Sequence, residues 1–260
     1  MSELSLKIAC VQMVSSVSVE SNLEAAARGI AQAAADGAQL VVLPEYFCLM
    51  GQHETDKWAI AEAYAGNNVT AATPLQMFLR TQAMQHGIYL VGGTIPLTCE
   101  GTQKVYNTCL IYSPSGDVQA RYDKIHLFGF KNGDESYSEG DSILAGDLTA
   151  PNSPCVWDSP WGRIGLSICY DVRFPELYRA AGEVLAWVCV AAFTHTTGQA
   201  HWEILLRARA IENQCYVLAC GQGGLHDNGR RTFGHSMVID PWGVVQAVQS
   251  EGMGVVSANL

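Results

Sequence analysis

The sequence predicts an α/β fold with mixed sheets, on three observations. Short β-rich runs alternate with amphipathic helical stretches along the chain, the pattern of helices layered on sheet. Three turns are built alike: Ser113-Pro114-Ser115-Gly116, Ser159-Pro160-Trp161-Gly162 and Asp240-Pro241-Trp242-Gly243. Ser or Asp first, Pro second and Gly fourth suit a type I turn, so each closes a hairpin, which a purely parallel sheet would not contain. Finally, no repeat, low-complexity segment or Pro/Gly/Ser-rich linker divides the 260 residues, so residues 1–260 read as one domain.

The strand-like runs are 6–12, 40–44, 88–95, 105–112, 118–124, 163–169, 184–192, 215–220 and 235–239. Helices between them carry start and stop signals. Ser21-Asn22-Leu23-Glu24 has the form of a capping box, with Leu23, Ala27, Ile30 and Ala34 as the apolar stripe and Gly37 as the stop. Thr73-Pro74-Leu75-Gln76 repeats the device with Pro at the first helical position, and Gly87 closes that helix. A third helix over 199–213 puts Ile204, Ala208 and Ile211 on one face and pairs Glu203 with Arg207.

Composition narrows the function. A net charge of −10 argues against nucleic acid or an anionic membrane as partner. No apolar run is long enough to span a bilayer, and the N-terminus lacks a signal-peptide layout, so a cytoplasmic protein is expected. The nine cysteines are odd in number, without a CxxC pair, and Cys10, Cys109, Cys189, Cys215 and Cys220 sit in apolar stretches. That fits reduced core cysteines in a reducing compartment. Without HExxH or clustered Cys/His spacing, no metal is expected. Gly221-Gln222-Gly223-Gly224-Leu225-His226 has His where a third fingerprint glycine belongs and reads as a loop, so no dinucleotide cofactor is expected.

Three residues stand where chemistry could happen. Cys169 ends the run Ile164-Gly165-Leu166-Ser167-Ile168 and Pro175 opens a helix soon after, so the thiol projects from a sheet edge. A buried packing cysteine is the alternative. Glu45 follows Leu40-Val41-Val42-Leu43-Pro44 and precedes Tyr46-Phe47, a costly place for a carboxylate that is neither paired nor used; a solvated loop is the alternative. Lys124 ends another run, where a surface lysine is common. Together they are chemically coherent. A thiol with a reference pKa of about 8.5 is activated beside a cation. A carboxylate can take its proton and return one to a leaving amine, and an ammonium can hold an oxyanion.

Leu43-Pro44-Glu45, Tyr122-Asp123-Lys124-Ile125-His126-Leu127-Phe128 and Ile168-Cys169-Tyr170-Asp171-Val172-Arg173-Phe174-Pro175-Glu176-Leu177 resemble, in order, the three catalytic segments of the nitrilase, or carbon–nitrogen hydrolase, superfamily. The resemblance covers about 7–260. It implies an αββα sandwich, Glu45 as general base, Lys124 as oxyanion stabiliser, Cys169 as nucleophile and the Tyr170 backbone N–H as a second oxyanion donor. A further family glutamate falls on Glu135 or Glu139; the spacing to Gly146-Asp147 favours Glu139, as a residue orienting Lys124 and the amide. Many relatives carry Pro where this chain has Val190, so the nearby pocket wall is expected to differ.

Segments 192–203, 206–214 and 234–243 are similar to the deaminated glutathione amidase branch, implying hydrolysis of a terminal amide of a 2-oxo acid to carboxylate and ammonia. The runner-up is the ω-amidase branch, acting on 2-oxoglutaramate, or another small-amide or nitrile hydrolase. Such substrates are anions, so Arg173 is the candidate carboxylate clamp, against a salt bridge to Glu176 or Asp171. Arg230 and Arg231 could reach a longer substrate's remote carboxylate, against a solvated loop. The resemblance also implies a homodimer or larger assembly through helices near 175–182 and 199–213. A papain-like Cys–His hydrolase and a catalytically silent scaffold on the same fold are the rival readings.

Overall fold

The computed structural model describes residues 6–132, 135–147, 149 and 154–260. The first half contains β1 (Lys7–Gln12), α1 (Val19–Ala35), β2 (Leu40–Val42), α2 (Pro74–His86), β3 (Tyr89–Val91), β4 (Ile95–Thr98), β5 (Val105–Tyr112) and β6 (Val118–Asp123). A small hairpin follows, β7 (Gly129–Asn132) and β8 (Glu135–Ser138). Then come β9 (Val156–Ser159), β10 (Gly162–Ile168), α3 (Pro175–Ala180), β11 (Ala186–Ala191) and α4 (His195–Asn213). The chain ends with β12 (Tyr216–Gly221), β13 (Ser236–Ile239), β14 (Val245–Gln249) and β15 (Gly254–Asn259).

Two mixed sheets result. One runs β15-β1-β2-β3-β5-β4, with β6 also on β5; the other runs β14-β13-β12-β11-β10-β9. In each, three central strands are parallel (β1-β2-β3 and β10-β11-β12) and the flanking pairs antiparallel. The three Pro/Gly turns each close an antiparallel pair, β5-β6, β9-β10 and β13-β14, as predicted.

Alternation along the strands builds the layers. Cys10, Val42 and Ile111 face the second sheet's core, while Val11, Val41 and Leu110 pack with Ala26 and Ile30 of α1 and Leu79 of α2. On the far side of the second sheet, Tyr178 of α3 meets Trp187 at 4.4 Å, and α4 buries Trp202, Leu206 and Ala210. Helix, sheet, sheet, helix is the αββα sandwich expected. Among the described residues no helix is long and apolar enough to cross a membrane.

Several local expectations are corrected. Helix α1 starts earlier, capped by the Ser18 side chain accepting from the Ser21 N–H, and of the predicted stripe only Ile30 is fully buried, together with Asn22, Ala26 and Ala33. Asn22 is tolerated there because its amide is fully engaged with Ser16 and the Cys48 carbonyl. Thr73 does not cap α2; the buried Glu62 carboxylate accepts from the Leu75 and Gln76 N–H groups instead. Helix α4 starts at His195 and its predicted apolar face is the outer one, with Ile204 70% and Ile211 52% exposed. The Glu203–Arg207 pair forms as expected at 3.4 Å. The run 88–95 is two strands, broken at Gly93 with φ +54; a side chain there would meet the Pro44 carbonyl at 2.2 Å. That break brings Thr94 against the Tyr46 N–H.

Candidate active site

Strand β2 delivers Glu45, β6 delivers Lys124, and β10 ends at Cys169, so three strand ends from two sheets converge. Cys169 opens a tight helical turn, Cys169–Arg173, with φ +50, and Tyr46 beside Glu45 has φ +56. Such dihedrals are strained for side-chain-bearing residues and mark places where the fold forces a side chain outward.

Glu45, Lys124 and Glu139 are buried, each 2% exposed or less. The Lys124 ammonium lies 2.8 Å from Glu45 Oε1 and 2.8 Å from Glu139 Oε2. Both carboxylates accept further hydrogen bonds. Glu45 accepts from Asn107 Nδ2 at 2.9 Å and from the Ala192 N–H at 2.8 Å. Glu139 accepts from the Tyr46 hydroxyl at 3.0 Å and the Phe128 N–H at 2.7 Å. A buried ion array is tolerated only with this degree of hydrogen bonding.

The electrostatics follow. Burial alone would lower Lys124, but Glu139, then Glu45, outweigh it and hold the ammonium well above its usual range. Burial would raise Glu139, and Lys124 with the Phe128 N–H overcomes that and holds it low. Burial, then the charge of Glu45, pushes the Cys169 thiol well up against the opposing pull of Lys124. The thiol therefore rests protonated. Lysine beside cysteine does not by itself make a thiolate when two carboxylates already claim the ammonium.

Next to the array in the chain lies a third buried carboxylate, Asp171. Its Oδ2 accepts from the Tyr122 hydroxyl at 2.7 Å and the Ile168 N–H at 2.9 Å. Its Oδ1 accepts from the His126 N–H at 3.1 Å and from His126 Nδ1 at 2.7 Å. Asp171 thereby ties the residues two before and two after Lys124 to the residue before Cys169. Asn107 was not singled out from the sequence, and Asp171 only as a possible partner of Arg173. The signal was a polar residue inside an apolar run or near Cys169, which does not reveal its partners.

A cleft of about 280 Å³ opens onto this array, lined by Phe128, Glu139, Cys169, Tyr170, Ala192, Phe193, Thr194, Thr197 and Arg230. Thr194 and Thr197 were not anticipated. Arg173 is not among the lining residues. It lies over the Tyr170 and Phe193 rings, 5.7 and 5.3 Å from their centroids, and reaches His201 at 3.3 Å. Among the described residues it forms no ion pair with Asp171 or Glu176. Arg230, expected in a solvated loop, instead edges the cleft and donates to the Ala192 carbonyl at 3.3 Å. Arg231 is outside, paired with Glu251 at 3.0 Å. Val190 is fully buried in the middle of β11, pairing with Ile168 and Cys220, so it forms no part of the cleft wall. The glycine-rich segment is a loop after Gly221, the last residue of β12, and it is structural: Gln222 donates to the Glu45 carbonyl at 3.1 Å. The Glu135 side chain lies outside the described residues.

Residues 7–260 match the carbon–nitrogen hydrolase family. The chain belongs to that family. This hydrolase is 42% identical over 257 residues to the deaminated glutathione amidase of Synechocystis, covering 97% of the chain and 90% of the relative. It is 41% identical over 268 residues to the deaminated glutathione amidase of Bos taurus, covering 100% of the chain and 77% of the relative. Among solved structures, Saccharomyces cerevisiae Nit3, a nitrilase-superfamily member, matches with TM-score 0.83 and 32% identity, covering 98% and 90% of the two chains. A mutant amidase from Nesterenkonia sp. AN1, with acrylamide added at its active-site cysteine, matches with TM-score 0.80 and 27% identity, covering 98% and 93%. The hydrolase is thus an amidase of the nitrilase superfamily, acting on carbon–nitrogen bonds other than peptide bonds.

Proposed function

We propose that this amidase cleaves deaminated glutathione through a thioester on Cys169, with Glu45 as general base and Lys124 as oxyanion stabiliser. The observation that carries the chemistry is the buried Glu45–Lys124–Glu139 array at the strand ends beside a protonated thiol. The substrate branch is supported by the likeness to amidases of that name.

The charges make a consistent cycle. With Lys124 cationic and both glutamates anionic the array carries one net negative charge. When the Cys169 proton passes to Glu45 and the sulfur attacks the amide carbonyl, the charge moves to the carbonyl oxygen and the total is unchanged. Charge is shifted inside a dry site and never added to it, which keeps the cost low. Lys124 and the Tyr170 N–H receive the oxyanion, and Glu139 holds Lys124 in place. Glu45 then protonates the departing nitrogen, and later activates the water that opens the thioester.

The leaving group differs from the ammonia expected from the sequence. The amide nitrogen that joins the 2-oxo acid of deaminated glutathione to its remainder belongs to cysteinylglycine, so that dipeptide leaves. Ammonia is released only from a primary amide such as 2-oxoglutaramate. Comparing dipeptide release from the first with ammonia release from the second decides the branch; a much higher kcat/KM for the second would overturn it. Cys169→Ala lowers turnover of either by on the order of 10⁴ or more, and wild-type turnover in that variant would sink the thioester scheme.

We further take residues 1–260 as one hydrolase domain that pairs with a second copy through the outer face of α4. Exposed Ile204 and Ile211 support this pairing, as does the 86% exposed Trp242 in the turn whose Gly243 carbonyl accepts from Arg207. Exposed apolar groups clustered on one face mark association surfaces.

A further inference from the structure

The two carboxylate oxygens of Glu45 meet different neighbours. Oε1 lies 2.8 Å from the Lys124 ammonium and accepts from Asn107 Nδ2 at 2.9 Å. Among the described residues Oε2 accepts one hydrogen bond, from the Ala192 N–H at 2.8 Å. Each carboxylate oxygen offers about two acceptor directions. Two fixed donors therefore fill Oε1 while one engages Oε2, so the capacity of Glu45 to take a proton is concentrated on Oε2. The sulfur lies toward that oxygen. Burial, then Glu45, push the Cys169 thiol up, and among the groups opposing them, after Lys124, is the same Ala192 N–H. One backbone donor thus serves both Oε2 and the sulfur.

Asn107 is placed to enforce this division. It is buried in β5, and its side chain and main chain hold two different members of the array. The side-chain amide donates to Glu45, and the Asn107 carbonyl accepts from the Lys124 backbone N–H at 2.9 Å. Strand β5 is paired on both flanks, with β4 at Asn107 itself and with β6 from Thr108 onward. A residue clamped in this way fixes carboxylate and ammonium relative to each other. Asn107 is not among the residues lining the cleft, so it reaches the chemistry through Glu45 and Lys124. The last torsion of a glutamate side chain is soft. Without the amide donor the carboxylate can turn until both oxygens compete for Lys124, and Oε2 then leaves the thiol.

We propose that Asn107 is a positioning residue for the general base: by filling Oε1 alongside Lys124 it holds Oε2 toward Cys169 and makes Oε2 the atom that takes the thiol proton. This rests on the reading of Glu45 as general base and is independent of which amide is cleaved. In the step it serves, the S–H proton moves to Oε2, the electron pair left on sulfur forms the C–S bond, and the carbonyl π pair moves onto oxygen.

The test measures kcat and KM on deaminated glutathione and on 2-oxoglutaramate for Asn107→Ala, Asn107→Asp and Glu45→Gln. Asn107→Ala removes the donor but leaves the main-chain bond to Lys124. Expected is a fall in kcat of about a hundredfold on whichever amide the wild type turns over, with KM within about threefold. Asn107→Asp keeps the size but presents Oε1 with an acceptor and, at about pH 8, a second negative charge, so it does no better than alanine. A role in packing alone predicts the reverse order, with the isosteric aspartate near wild type, and that result overturns the proposal. So does a loss confined to KM. Wild-type kcat in both Asn107 variants, while Glu45→Gln loses it, removes the positioning role and leaves the base standing. Wild-type kcat in Glu45→Gln overturns the base and the positioning residue together.

Discussion

Asp171 touches no part of the cleft, yet four donors from Tyr122, His126 and Ile168 converge on its two oxygens. Lys124 lies between two of those residues in the chain and Cys169 follows the third. The carboxylate therefore sets the distance between ammonium and thiol. Asp171→Asn keeps the size but offers one acceptor oxygen, and turns an NH₂ toward donors. Expected is a loss of about 2–4 kcal/mol of stability, and a fall in kcat with KM nearly unchanged. Denaturant melts together with steady-state kinetics check this; a stability loss with an unaltered kcat would reduce Asp171 to a structural role. Glu45, Lys124 and Cys169 were legible in the sequence because each sits at a strand end within a recognisable segment. Asn107 was not, since an amide inside an apolar strand looks the same whether it faces a core water or the Glu45 carboxylate. The positions of Arg173 and Arg230 relative to the cleft were not legible in the sequence, for a physical reason. Proximity in sequence to Cys169 places Arg173 over aromatic rings, while the loop carrying Arg230 folds back to the cleft from far along the chain.

At the scale of elements, the loop between β12 and β13 depends on a buried imidazole. His226 Nδ1 is 2.7 Å from the Ser15 carbonyl and Nε2 is 2.8 Å from the Thr232 hydroxyl. A carbonyl only accepts, so Nδ1 carries the proton and Nε2 accepts from Thr232. Burial first, and then nearby Arg230, hold this histidine below its usual range, against the Ser15 carbonyl and Asp227. The neutral form is the one the fold requires. Its stabilising contribution is fully present above the ordinary histidine range, about pH 6.5, and is lost as pH falls through the depressed value. Amide protection across 222–234, with exchange corrected for its intrinsic pH dependence, is expected to fall as pH drops below about 6.5, and to do so less in His226→Gln. Protection that stays constant as the pH is lowered would contradict it. The same scale shows what pattern reading reaches. Pro/Gly turns carry their own geometry, so all three hairpins were foreseen, and β5 was placed to the residue. The buried face of α4 was not, because Trp202 and Arg209 face inward there: Arg209 donates to the Val172 carbonyl at 2.9 Å, a partner no helical period announces. The cap of α2 likewise comes from Glu62, outside its own segment.

For the whole molecule, the outer face of α4 is where a second copy is expected. Ile204→Glu places a charge in the middle of that face without touching the core, since Ile204 is 70% exposed. Sedimentation of the wild type should show a dimer, and the variant should move toward monomer by at least tenfold in dissociation constant, about 1.4 kcal/mol. A wild-type monomer at micromolar concentration would contradict the pairing. The nine cysteines are all buried and unbridged, and burial raises the thiols of Cys48, Cys109, Cys155, Cys189 and Cys215 to about 12 or beyond. Folding thus silences this chemistry collectively, with Cys169 at the wall of the cleft. Once the chain opens, every sulfur regains ordinary acidity at the same moment. In air, random cross-linking then competes with refolding, so this enzyme's lifetime is governed by how seldom it unfolds more than by how stable it is at equilibrium.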